Sequence, residues 1–337
     1  MRASQGGIAT VYRVSSERCQ RSEVRAQRAA RGAELRRATS APEASNTDSY
    51  AAALALLQDR RLVVLTGAGV STDSGIPDYR SPGSPSRQPM TYQQFISGPQ
   101  ERQRYWARSH LGWRRMGSAV PNAGHRALAA IDPELLITQN VDGLHEQAAP
   151  ELASSGRIVT LHGRVADVIC LSCRTLSPRR TLQERMEALN VGWAEAHADV
   201  ETRPDGDVAL EETLDFVVPD CEICGGILKP DVVFFGENVP KDRVARCMAA
   251  VDELAEPDLE RRDERQGKGV LLVAGSSLAV MSGYRFVRRA AKAGIPVVIV
   301  NRGATRGDGE ATYKLEVGTS DFLTTLAQSR FRGSGRA

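Results

Sequence analysis

Lysine is nearly absent from this chain. Among 337 residues there are five Lys against 39 Arg. Such a skew follows a GC-rich coding sequence and points to a bacterial cytoplasm. No run of about 18 apolar residues occurs, so no membrane span is expected. An excess of positive charge is also missing from the body. Residues 1–40 hold nine Arg and three Glu, while the remainder carries 35 basic and 38 acidic residues. The net charge of +3 therefore belongs to the N-terminal stretch, and nothing in the body suggests a nucleic-acid footprint. That stretch lacks a long apolar segment, which excludes a secretory signal. Residues 1–45 are expected to be a disordered Arg-rich tail, or an extension from an early start codon. A mitochondrial matrix transit peptide is the lesser alternative, and residues 331–337 are read as a second tail.

What is present is a repeated pattern of short apolar runs, each followed by small or polar residues and then by a helical segment. The runs are Arg61–Thr66, Glu134–Thr138, Arg157–Leu161, Val270–Ala274 and Pro296–Val300. They end on Gly67, Gln139, His162, Gly275 and Asn301. Alternating strands and helices predict an α/β fold, a doubly wound parallel Rossmann-like sheet. Ligands of such sheets lie beyond the carboxyl ends of the strands, where all five special sequences fall. Helices are expected over 47–60 (capped by Thr47 or Asp48), 100–116 and 122–131, with Tyr105 and Trp106 packing inward. Residues 81–99 read as a loop, 232–236 as a strand, and the charged run 255–269 as a solvated loop.

Residues 164–230 break the rhythm. They contain Cys170-x-x-Cys173 and Cys221-x-x-Cys224, while Cys19 and Cys247 stand apart. Four thiolates in two pairs suit tetrahedral zinc, and with no open ligand the site reads as structural. The fold is therefore expected to carry an inserted small zinc-binding domain at 164–230. The large domain is split into 46–163 and 231–330. Residues 174–220 hold five Arg and eleven acidic residues, a charge that repels phosphates and argues against a nucleic-acid ribbon.

Gly67-Ala68-Gly69 follows the first strand, with Ser71 just beyond. Glycines there let the backbone approach a pyrophosphate, and a following helix N-terminus would favour its charge. Plain tight turns use glycine in the same way. The third glycine of G-x-G-x-x-G is missing, as is an acidic residue closing the next strand. A hydride-transferring dehydrogenase is disfavoured on both counts. Asp78 and Arg80 follow in Gly75-Ile76-Pro77-Asp78-Tyr79-Arg80, either as a surface ion pair or as cofactor contacts.

In order, GAGVSTDSGIPDYR, QNVDGLH, LHG, the two C-x-x-C pairs, KPDVVFFGE and GSS resemble the sirtuins, the NAD-dependent protein-lysine deacylases. The resemblance spans roughly 47–328. Segments 102–108, 182–185 and 282–286 make it closest to class II sirtuins, a subgroup with a mitochondrial member. It implies that NAD is consumed: an acyl-lysine carbonyl oxygen attacks C1′ of the ribose, nicotinamide leaves, and the acyl group ends on ADP-ribose. His162 is then the general base, since imidazole titrates near neutrality. Asn140 serves the chemistry and Asp142 cofactor placement, with Gln139 and Asn140 at the ribose and Val141 beside them. Residues 67–69, 71 and 75–80 hold the cofactor, Gly275, Ser276 and Ser277 its phosphate or ribose, and Asn301, Arg302, Gly303 and Thr319 its adenosine side. Segment 232–236 pairs with the substrate peptide, with Phe234 or Phe235 at the acyl tunnel. His145 is expected to pack, and His110, His125 and His197 receive no role. The partners implied are acyl-lysine proteins, met by a monomer without nucleic acid or membrane. Mono-ADP-ribosyl transfer and lipoamidase-like deacylation are the alternative activities of the same pocket.

Overall fold

The computed structural model describes residues 46–78, 89–197, 213, 215–256 and 268–334. The Arg-rich stretch, Cys19, Tyr79, Arg80, most of the acidic insertion, residues 257–267 of the charged run and residues 335–337 lie outside it. In chain order the elements begin with α1 (Asn46–Gln58), β1 (Leu62–Thr66), α2 (Tyr92–Ser97), α3 (Pro99–Met116) and α4 (Ala123–Ile131). Next come β2 (Leu135–Thr138), α5 (Leu144–Ala148), α6 (Pro150–Ser154), β3 (Ile158–Thr160), β4 (Gly163–Cys170) and β5 (Leu176–Pro178). They continue with α7 (Arg179–Leu189), α8 (Trp193–Ala196), β6 (Leu228–Val232), α9 (Lys241–Glu253) and β7 (Val270–Ala274). The chain closes with α10 (Met281–Lys292), β8 (Val297–Val300), β9 (Tyr313–Leu315) and α11 (Thr319–Ser334).

Six strands form the main sheet in the order β3-β2-β1-β7-β8-β9, every neighbouring pair parallel. With the small-sheet strands set aside, this is the 3-2-1-4-5-6 order of dinucleotide-binding folds, and it reverses between β1 and β7. Strands β1, β2, β7 and β8 are buried at every position, which is why they read as unbroken apolar runs. Alternate side chains serve opposite faces. Leu62, Val64, Leu272 and Val298 pack on α1, α4 and α11, whereas Val63, Leu65, Val273 and Ile299 pack on α9 and α10.

The second sheet, β5-β4-β6, is antiparallel. Its core joins Val168, Cys170, Leu182, Met186 and Leu228 to Trp106 and Ala107 of α3. Trp106 is buried and donates its indole N–H to the Leu228 carbonyl (3.1 Å), while Tyr105 is half-buried against it.

Six expectations need correction. A helix, α2, stands inside the stretch read as a loop, because Thr91 and Gln94 form a reciprocal capping box and Phe95 is buried. The strand expected at 232–236 lies earlier, at Leu228–Val232; of the later residues Phe235 makes only an isolated bridge to Thr91. No α-helix follows Gly67. Two single 3₁₀ turns, Ala68–Val70 and Thr72–Ser74, take its place, so no long helix dipole points at that turn. A sixth strand, β9, was not anticipated; only three residues long at the sheet edge, it leaves almost no pattern. The first helix begins at Asn46, ahead of both proposed caps, and the last continues to Ser334.

Candidate active site and metal centre

The strand-end sequences converge at the point where the strand order reverses. Gly67 donates its N–H to the Ala274 carbonyl (3.1 Å) and Gly69 to the Gly275 carbonyl (2.9 Å), so the two glycine turns lie backbone against backbone. A Cβ on Gly67 would sit 2.8 Å from the Gly275 oxygen, and Gly275 itself has φ +62°. Side chains are excluded there by contact as well as by conformation. Thr319 donates its hydroxyl to the Gly69 carbonyl (3.2 Å), which brings the start of α11 to the same turn.

Gln139 bridges the turns: its Nε2 donates to Ser276 Oγ (2.7 Å) and to the Thr66 carbonyl (3.2 Å). Asn140 is buried and spends both Nδ2 hydrogens on this frame, donating to the Gly67 carbonyl and to Ser71 Oγ, each at 3.1 Å. Its Oδ1 is thereby the acceptor left for a donor from outside. Ser71 in turn donates to Asp142 Oδ2 (2.7 Å), while Asp142 Oδ1 accepts the Leu144 N–H (2.9 Å). Asp142 is therefore fixed at both oxygens.

His125, given no role by the sequence, belongs to this network. The Asn122 N–H donates to its Nδ1 (3.3 Å), which leaves Nε2 carrying the hydrogen and facing Ser71 Oγ at 3.5 Å. The signal was present in Asn122-x-x-His125, a capping box at the start of α4 built with imidazole in place of a carboxylate. His145 packs as expected: buried, with Nε2 2.9 Å from Thr66 Oγ1 and its ring 4.7 Å from that of His125. Burial, then the neighbouring His125, push its pKa well below the ordinary histidine value. His110 is buried against Gln183 in the small-sheet layer.

His162 stands where the chain leaves the large sheet for the small one. Its carbonyl accepts the Val233 N–H (2.8 Å). The next residue, Gly163, has φ +80°, and a Cβ there would fall 1.8 Å from the Asp231 oxygen, so only glycine makes this corner. The ring bonds the Gln139 carbonyl through Nδ1 (2.9 Å) and Ser282 Oγ through Nε2 (2.8 Å). Burial, outweighing the Gln139 carbonyl and assisted by Arg243, holds its pKa below the ordinary histidine value. The lowered pKa favours the neutral form of the imidazole.

Of the remaining predicted residues, Gly75, Ile76, Pro77 and Asp78 follow the second 3₁₀ turn, Gly75 with φ +81°. Val141 holds the main chain of Val165 (2.9 Å) and Ser277 that of Arg306 (2.9 Å). Asn301 folds its side-chain amide onto the Arg302 and Gly303 carbonyls (2.8 and 3.2 Å), shaping the turn after β8. Beside the site, buried Lys229 pairs with Glu237 (3.0 Å) and lies over the Phe234 ring (4.5 Å). This pins the segment that leaves Phe234 buried and Phe235 exposed.

The four cysteines meet. All four sulfurs lie within 4.8 Å of one another, with Cys170–Cys224 at 3.5 Å and Cys173–Cys221 at 3.8 Å. Tetrahedral zinc with bonds of about 2.3 Å requires sulfur pairs roughly 3.8 Å apart, so the donor set fits that ion. Two tight turns shape the site: Arg174 N–H donates to the Cys170 carbonyl (3.0 Å) and Gly225 N–H to that of Cys221 (2.8 Å). It is a structural site, remote in chemistry from His162.

The Sir2 family profile matches residues 67–282. An NAD-dependent protein deacetylase 1 of Mycobacterium avium is 52% identical over 281 residues, covering 81% of this chain and 93% of the relative. One from Streptomyces coelicolor is 52% identical, covering 79% and 85%. Among solved structures, a Sir2 protein bound to acetylated peptide superposes with a TM-score of 0.61 at 28% identity, covering 85% of this chain and 99% of the other. A complex of Sir2 with a p53 peptide and NAD+ gives 0.59 at 28% identity, covering 85% and 98%. This chain belongs to the Sir2 family, the sirtuins.

Proposed function

We propose that this protein is an NAD-dependent protein-lysine deacetylase that transfers the acyl group of an acyl-lysine side chain to ADP-ribose and releases nicotinamide. The observation that carries the reading is the meeting of two glycine turns, Gln139, Asn140 and Asp142, and a neutral His162 at one edge of a parallel sheet. Bound NAD supplies an electrophilic ribose carbon once nicotinamide departs. The turns at Gly67–Gly69 and Gly275–Ser277 would take the phosphates, with Gly75, Ile76, Pro77 and Asp78 helping to hold the cofactor. The loop of Asn301, Arg302 and Gly303, with Thr319, would take the adenosine side. Asn140 would meet the ribose through its remaining acceptor, with Gln139 beside it, and Asp142 would orient the nicotinamide amide. His162, neutral by burial, would take the proton of a ribose hydroxyl.

The substrate is an acylated lysine in a protein, presented at exposed Phe235, next to the segment pinned by Lys229. Zinc is the structural cofactor, bound by Cys170, Cys173, Cys221 and Cys224 in a small unit at 164–230 onto which α3 packs. The large unit is 46–163 with 231–330. The 102–108, 182–185 and 282–286 segments support class II. The bacterial relatives and the scarcity of lysine support a bacterial cytoplasm, and among the described residues no helix is long and apolar enough to cross a membrane.

The test is incubation with NAD and a panel of acyl-lysine peptides, following nicotinamide and free lysine. Acyl loss that requires NAD is the expected result. ADP-ribose left on a protein without acyl loss would replace this reading with ADP-ribosyl transfer.

A further inference from the structure

The Gln139 carbonyl can only accept, so the hydrogen of a neutral His162 sits on Nδ1 and Nε2 carries a bare lone pair. Ser282 Oγ, 2.8 Å from Nε2, must therefore be the donor. Ser282 lies in the first turn of α10, which has no side-chain cap at Val280. A serine at a helix start ordinarily serves the amides of its own turn. This one instead reaches a histidine 120 residues away. The turn is pressed close: a Cβ on Gly283 would lie 2.6 Å from Gln139 Oε1, so glycine is what lets α10 approach. The imidazole is thus held at one nitrogen by the loop after β2 and at the other by the start of α10.

We propose that Ser282 is a positioning residue for His162, holding its ring by Nε2 in the tautomer and orientation from which it takes a proton. This rests on His162 being the base. When the ribose hydroxyl arrives it shares Nε2 with the serine, whose Oγ turns from donor to acceptor of the hydrogen that Nε2 gains. The ribose O–H bond breaks, an Nε2–H bond forms, and the serine keeps its own hydrogen. Without Ser282 the ring keeps only its Nδ1 anchor and is free to swing about it.

The test uses the full chain with an acetyl-lysine peptide and saturating NAD. Ser282→Ala is expected to lower kcat about 3- to 10-fold, the scale of one lost neutral hydrogen bond, with KM for NAD unchanged and the melting temperature preserved. Ser282→Thr, which retains the hydroxyl, is expected to recover most of the rate. The ¹⁵N resonance of His162 Nε2 should move in Ser282→Ala and not in Ser282→Thr. His162→Ala is measured alongside. If it remains active, the base assignment itself fails. If it is inactive while Ser282→Ala has wild-type kcat, changes only KM, or leaves the Nε2 resonance in place, the positioning role is wrong.

Discussion

The role proposed for His162 needs a neutral imidazole, and burial, with Arg243 nearby, disfavours its charged form. Both effects act in the same direction, and the one opposing influence, the Gln139 carbonyl, is smaller than the burial. The acid limb of kcat should therefore fall at a pH below the ordinary histidine value of about 6.5. Rates measured from pH 5 to 8 check this; a midpoint above 6.5 would contradict it. Stability follows the same sign. Since His145 and His162 both have depressed folded pKa values, the unfolded chain binds protons first. Their stabilisation is complete above pH 6.5 and is lost as the pH falls from there through the folded values. At this scale the positions of Gln139, His162 and the glycines at the sheet edge were legible because each follows an apolar run. Ser282 was not, because a hydrogen bond between residues 120 positions apart leaves no trace in local pattern, and for His125 the sequence showed the capping box of Asn122-x-x-His125 but not the approach to Ser71, 54 positions away.

Among the elements, the buried parallel strands were the easiest to read. Leu62–Thr66, Val270–Ala274 and Val297–Val300 are apolar on both faces and bounded by polar or glycine turns. The shorter elements escaped for opposite reasons. Helix α2 is hidden in Pro-, Ser- and Gln-rich sequence, while Val233–Gly236 has strand composition but is tied by single bonds to His162 and Tyr92 instead of a ladder. The zinc module was legible from spacing alone, although nothing in the spacing said that α3 would complete its core. With so few strands in the small sheet, the metal should carry much of its stability. Cys221→Ala is expected to abolish bound zinc and lower the melting temperature by about 5–10 °C, corresponding to several kcal/mol in a domain of this size. Unchanged metal content and melting would refute a structural zinc. His162 is not among the four sulfur donors, so zinc loss should act through stability and not by removing a catalytic ligand.

For the molecule as a whole, one topological fact organises the rest. The strand order reverses between β1 and β7, and the turns after these two strands pack together through glycine backbone. The chain then leaves the large sheet at His162–Gly163, returns along β6, and so places His162 at the junction of the two sheets. With the glycine turns as the proposed cofactor site on one side of that junction and the segment of Phe234 and Phe235 on the other, the arrangement would suit the proposed transfer between NAD and a protein side chain. The measurement that tests this most directly is the stoichiometry of the wild-type chain with NAD and an acetyl-lysine peptide. One nicotinamide should be released and one acetylated ADP-ribose formed for each lysine freed, and His162→Ala should lower that rate by about 10²–10⁴-fold. Lysine freed without NAD consumption, or a His162→Ala variant that turns over at the wild-type rate, would contradict the account.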